Sequence, residues 1–241
     1  GADALASVGS SSSVQFLVLG FCIGCCAGFG VPVARYFGAG DHRTMRNYIF
    51  NGAVLTAIIA AILMIACSLS CGQILHLLSV PDDIFGNAYV YLIVIFIGIP
   101  FTLLYNYLSS ILRSVGDSRT PFLFLGFSAV LNIFLDLFCI IVLKWGCMGA
   151  AIATITAQAI SGILCFFYIR GKMQLLRLEK ENMIVQKDAV KELLGMGLPM
   201  GFQFSITAIG SMVMQAANNG LGSVYVSGFT AGMRLKQFCM C

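Results

Sequence analysis

Six apolar stretches, roughly 10–36, 47–70, 86–112, 121–143, 146–169 and 193–217, dominate this sequence. Each reaches the ~20 residues that a helix needs to cross a hydrocarbon core of about 30 Å. A seventh begins near 220 and runs to Cys241. The stretches are long, unbroken and bounded by Pro, Gly or charge clusters, which suits helices and not the ~10-residue alternating strands of a membrane barrel. Only 10% of the residues are charged, against about one quarter in soluble domains. The chain therefore reads as an all-α integral membrane protein with six complete transmembrane helices and most of a seventh. Gly1 is not a methionine and the last apolar segment continues to Cys241, so an internal fragment of a longer chain is expected.

Basic residues give an orientation, because Lys and Arg collect in short cytoplasmic loops. Arg35, Arg43 and Arg46 follow the first span, Arg113 and Arg119 the third, and Arg170, Lys172, Arg177, Lys180, Lys187 and Lys191 the fifth. The alternate loops hold Lys144 alone, beside the acids Asp82 and Asp83. Loops 35–46, 113–120 and 170–191 should therefore be cytoplasmic, in a multi-pass protein of the plasma membrane surrounded by lipid. The small positive balance belongs to topology, and no nucleic-acid partner is expected.

Several chemistries are missing from the sequence. It has no GxxxxGK[ST] loop for nucleotide hydrolysis. His42 and His76 lie outside the apolar spans, which leaves no intramembrane His for a catalytic dyad or metal site. Cys22, Cys25 and Cys26 imitate a CxxC motif, but no second Cys or His pair completes a tetrahedral site, so they read as small packing residues. No enzyme activity and no cofactor are expected.

The longest polar stretch, 171–187, is the one place where a structural half could end. The sequences flanking the whole, GADALASVGSSSSVQF and LGSVYVSGFTAGMRLKQF, resemble each other at a displacement of about 220 residues. An even number of spans between them predicts parallel repeats. Gly20, Gly24 and Gly28 form a double GxxxG on one face of the first span, which permits close approach of another backbone. Pro32, Pro100 and Pro199 each remove a helix hydrogen bond and mark candidate bends.

Within LNIFLDLFCIIVL (131–143) stands Asp136, the one acid placed deep in a complete span. A carboxylate there costs about 2.5–3.5 kcal/mol on insertion scales and normally marks an ion path or a partnered site. Asn132 lies four residues earlier on the same helix face. Thr154 lies as far beyond the turn at Trp145 as Asp136 lies before it, so both should sit about 13 Å below that turn. The three oxygen-bearing side chains form a candidate cation or proton site, with Na+ at Asp136 as the possible metal.

On the sixth span Gln203, Thr207, Ser211 and Gln215 recur every four residues as one polar stripe, which is read as the wall of a water-lined substrate cleft. Tyr105 and Asn106 on the third span are candidate walls of the same cleft, or interfacial anchors.

As a set, VPVARYFGAGD (31–41), ILRSVGDSRTP (111–121), LNIFLDLF (131–138), GCMGAAIATITAQ (146–158), GLPMGFQFS (197–205) and QAANNGLGSVYVSGFTAG (215–232) resemble the multidrug and toxic compound extrusion (MATE) family, in family order. The resemblance implies twelve helices in two six-helix lobes around a central cleft. Residues 1–171 would be the amino-terminal lobe without its first helix (family helices two to six), 172–188 a cytoplasmic linker, and 189–241 the start of the second lobe (family helices seven and eight). It also implies export of organic cations or other drugs in exchange for Na+ or H+, by a monomer. In the DinF-like branch the coupling cation is held by an Asn-xxx-Asp pair, a Thr and an Asp on helix one. Asn132, Asp136 and Thr154 match the first three, and the fourth would lie upstream of Gly1. The NorM-like branch uses a Glu on helix seven, where this chain has Thr207, which favours the DinF-like branch. Two rivals stand beside this reading: a lipid-linked oligosaccharide flippase of the same superfamily, which would want a cationic cavity, and a non-transporting membrane scaffold.

Overall fold

The computed structural model describes residues 2–77, 82–179 and 183–219. Every regular element among them is helical. Helices α1 (Ala2–Gly38), α2 (His42–Leu77), α3 (Asp82–Ile97), α4 (Ile99–Ser114), α5 (Arg119–Leu137), α6 (Gly146–Lys172) and α7 (Lys187–Asn219) follow one another in chain order. Five are long and apolar enough to cross a membrane alone, and α3 with α4 makes a sixth crossing bent by 45°. The expected third span is thus one broken crossing. Pro100 supplies no N–H at the break, and the amides of Phe101 and Thr102 both turn back to the Gly98 carbonyl. The helices also run past the apolar limits read from sequence, since the backbone stays hydrogen-bonded beyond the hydrocarbon. The seventh span near 220 and the second copy of the repeat lie outside the described residues.

The core is built from side chains that α1 to α4 turn inward, among them Phe29, Met45, Leu92, Phe96, Leu103 and Ile111, all fully buried. Helix α6 packs against α3, α4 and α5, while α1 packs against α2, α3, α4 and α7. Helix α5 is the least covered, with Phe122, Leu123, Ile133 and Phe134 facing outward.

The glycines of α1 are used as the GxxxG spacing requires. A Cβ on Gly24 would stand 2.5 Å from the Met200 carbonyl oxygen, and one on Gly28 would stand 2.6 Å from the Gly197 Cα, both on α7. From the other side, Gly197 leaves room for the ring of Phe29, and Gly201 for Cys25 and Phe21. The two backbones touch where side chains would otherwise hold them apart.

At the basic end, two loops repeat one device. Gly40 and Gly116 have φ of +74° and +86°. The aspartate that follows each accepts a backbone N–H from the next helix, Thr44 to Asp41 and Thr120 to Asp117, both at 3.0 Å. Those donors are among the orphan amides of a first helical turn. The Thr44 hydroxyl and amide hold the Asp41 carboxyl below its ordinary range. At Asp117 partial burial opposes the charge, but bonds from Thr120 and the backbone of Arg119, with the Arg119 charge, outweigh it and the shift is again downward.

Between α6 and α7 the described residues 173–179 and 183–186 hold one helical turn, Gln174–Leu176, and α2 bonds to both segments. Arg46 donates to the Leu175 carbonyl at 3.0 Å and pairs with Glu179 at 2.9 Å. Asn47 and the fully buried Asn51 both donate to the Ile184 carbonyl, and the Gln186 amide donates back to Asn51 Oδ1 at 3.1 Å. Just beyond, Glu192 of α7 pairs with Arg35 at 2.8 Å and accepts from the Tyr48 hydroxyl at 2.5 Å.

Gly24→Ala and Gly28→Ala should each force α1 and α7 apart and cost about 1–3 kcal/mol, the usual penalty of overpacking. Gly126→Ala, with no atom within 4 Å of its Cβ position, should leave stability unchanged or slightly raised. Apparent melting temperatures of the detergent-solubilised full chain, followed by size-exclusion chromatography after heating, check the contrast.

Candidate functional site

Asp136 sits on the last regular turn of α5, and directly after it the helix widens into a π-turn, Phe138–Val142. Such turns often mark functional positions in helices. Lys144 and Gly146, with φ of +56° and +55°, then reverse the chain into α6. Gly149 lets α6 close on this corner, since a Cβ there would lie 3.0 Å from that of Cys139.

This hairpin brings Asn132 and Thr154 together. Asn132 Nδ2 donates to Thr154 Oγ1 at 3.4 Å, and the Thr154 hydroxyl donates to the Ala150 carbonyl at 2.9 Å. The bond to Thr154 therefore comes from Asn132, one turn from Asp136, where counting from Trp145 had paired Thr154 with Asp136 in depth. Asp136 is half-buried, and its Oδ1 is buried with no hydrogen-bond partner among the described residues. An oxygen left so is costly, by roughly 1–3 kcal/mol or more for a charged group.

One further polar group comes near this acid from another helix. Tyr91 of α3 lies within electrostatic range of Asp136 and donates its hydroxyl to Gln15 Oε1 of α1 at 3.0 Å. Gln158, one turn beyond Thr154 on α6, also buries an oxygen without a partner. The spacing of Thr154, Gln158 and Ser161 on one helix face was available in the sequence. Nothing local marked Tyr91, which comes within range of the acid only through the packing of α3. Asn132, Asp136 and Thr154 offer oxygen atoms from two helices, with Tyr91 of a third in electrostatic range, a donor set suited to a hard cation or a shared proton.

The remaining candidates divide. Gln203 and Thr207 are exposed on α7, where the Thr207 hydroxyl donates to the Gln203 carbonyl at 2.8 Å. The side chains of Ser211 and Gln215 lie outside the described ones. Tyr105 corrects the expectation of a cleft wall: it is 5% exposed, and its hydroxyl donates to the Pro121 carbonyl at 3.0 Å, which ties α4 to α5. Asn106 is half-buried and donates to the Thr102 carbonyl of its own helix. The eight described cysteines are free thiols, seven of them buried, and no group of three or more His, Cys, Asp or Glu that could hold a metal occurs among the described residues.

Six apolar crossings, the fourth carrying the half-buried Asp136, make this a multi-pass membrane protein. The sequence profile of the MatE family matches residues 1–138, and the chain belongs to that family. It is 33% identical to the probable multidrug resistance protein YpnP of Bacillus subtilis over 98% of this chain and 53% of that one. It is 30% identical to the probable multidrug resistance protein NorM of Thermotoga maritima over 97% and 51%, and 23% identical to an FAD transporter of Shewanella oneidensis over 98% and 53%. The chain thus spans about half the length of the relatives it matches. A MATE transporter solved in the outward-facing conformation superposes with a TM-score of 0.89 over 99% of this chain and 53% of that one, at 22% identity. The inward-facing conformation of a MATE transporter gives 0.85 over 99% and 55%, also at 22% identity.

Asp136→Asn should raise the apparent melting temperature of the full chain, because it replaces an unpartnered buried carboxylate by a neutral amide of the same shape. Thr154→Val should lower it by about 1 kcal/mol, since Asn132 loses its acceptor. A fall in stability for Asp136→Asn would show that the carboxylate is part of the packing.

Proposed function

We propose that these helices belong to a cation-coupled antiporter that exports drugs or organic cations across the plasma membrane by alternating access. Helices α1 to α6 form most of its first lobe, 172–188 the linker, and α7 opens the second lobe. The observation that carries this reading is the unpartnered oxygen of Asp136 beside the Asn132 and Thr154 pair, deep in a span. The names of the multidrug-resistance relatives support the export of drugs, and the FAD transporter among the relatives supports a broader range of cargo.

In this reading Na+ or H+ enters from outside and neutralises Asp136, with Asn132 and Thr154 supplying the neighbouring oxygens. Loss of the charge favours the conformation that has released its cargo. Drug and ion then compete through the two conformations without touching. Gln203, Thr207, Ser211 and Gln215 line the cleft between the lobes.

Efflux from proteoliposomes of the full-length transporter, driven separately by a sodium or a pH gradient, tests the coupling. One gradient should drive export, and Asp136→Asn should abolish that dependence; ion-driven efflux unchanged by the substitution would remove Asp136 from the mechanism. The cleft is tested by placing a cysteine at position 207. Thr207→Cys should react with a membrane-impermeant thiol reagent in intact bilayers and be protected by bound drug, whereas a packed scaffold would leave it silent.

A further inference from the structure

Helices α2, α4 and α6 leave a groove of about 830 Å³ between them. Its walls are apolar, with Ala60, Met64, Phe101, Leu108 and Phe166 among them. It runs along α2 from Ile49 to Met64, about 22 Å at the rise of a helix. One leaflet of hydrocarbon is about 15 Å deep, so the groove extends from the headgroup level to about the bilayer centre.

Two features at its ends and wall are polar. Arg170, at the end of α6, and Arg177, in the linker, both line the groove at its basic mouth. Both are exposed, and neither has an ion-pair partner among the described residues. Arg177 is held there because the Arg46 side chain bonds Leu175 and Glu179 on either side of it. Part-way down, Thr56 lines the groove at 6% exposure, and its hydroxyl has no hydrogen-bond partner among the described residues, not even the carbonyl one turn back.

We infer that this groove binds an anionic phospholipid of the cytoplasmic leaflet. One acyl chain lies along α2 and α4, and the phosphate sits between Arg170 and Arg177. The charge at the mouth matches an anionic headgroup, since basic pockets between helices on the cytoplasmic side are where such headgroups dock. The length matches one leaflet. The site is separate from Asp136 and does not depend on the transport reading.

Phe101→Trp, made in the full-length protein with its other tryptophans replaced by Phe, places a fluorophore in the wall of the groove. The protein is reconstituted in phosphatidylcholine with rising fractions of phosphatidylglycerol or phosphatidylcholine brominated in mid-chain. Phosphatidylglycerol should quench at a lower mole fraction, by about 5-fold for each arginine that contributes. Arg170→Gln with Arg177→Gln should bring the two curves together, and Arg170→Lys with Arg177→Lys should keep them apart. Coincident curves in the unsubstituted protein would overturn the inference. So would a preference that survives the double glutamine variant, or a tryptophan that neither lipid quenches, which would place another protein segment in the groove. Elution of each variant as a single size-exclusion peak shows that it is folded.

Discussion

The contact on which this architecture depends is the meeting of two backbones, α1 and α7, at glycine. In hydrocarbon an apolar side chain gains little from a neighbouring helix, because lipid tails are equally apolar. What holds two helices together is close packing and the dipolar contacts that come with it, and both fall off steeply with separation. Gly24 and Gly28 on one side, Gly197 and Gly201 on the other, bring the main chains within the reach of a single methyl group. The glutamate and tyrosine contacts at the basic end, Glu192 with Arg35 and Tyr48, then fix the register along that contact. The core of α2, α3 and α4 assembles on the opposite faces of the same α1.

Much of the architecture was legible along the chain. Apolar runs of the right length announced the crossings, and the GxxxG spacing of Gly20, Gly24 and Gly28 announced a backbone contact, because both are local patterns. The partner of that contact could not be read, since nothing in GxxxG says which helix will fill it. Pro100 was legible as a bend, with its 45° left to the packing of Gly98 against Ile155. One signal in plain view went unused: GDHRT (40–44) and GDSRT (116–120) share a pattern, and both fold into the same left-handed glycine followed by a capping aspartate.

The site was legible in part for similar reasons. Asn132 and Asp136 are one turn apart on one helix, and Thr154 is just across a hairpin, so counting residues brought them near one another. Counting could not say which of the two side chains bonds Thr154, and it is Asn132 that does. Tyr91 comes within range of the acid from a helix far away in sequence, and Tyr105 is buried with its hydroxyl taken up by the Pro121 carbonyl. Nothing local in the sequence marks Asn47 and Asn51. Their bonds to Ile184 and Gln186 exist only because the chain returns there more than one hundred and thirty residues later.

That return bears on biogenesis. Chains enter the membrane from their amino-terminal end, so the buried amides of α2 and the glycine face of α1 are in place before the linker and α7 leave the ribosome. Ile184 and Gln186 reach a receptor already built, and α7 is delivered to α1 with its starting depth set by a loop that α2 has anchored. The later helix is thereby templated by the earlier ones, and a defect at Asn51 would be felt first as a failure of insertion order in a helix it hardly touches.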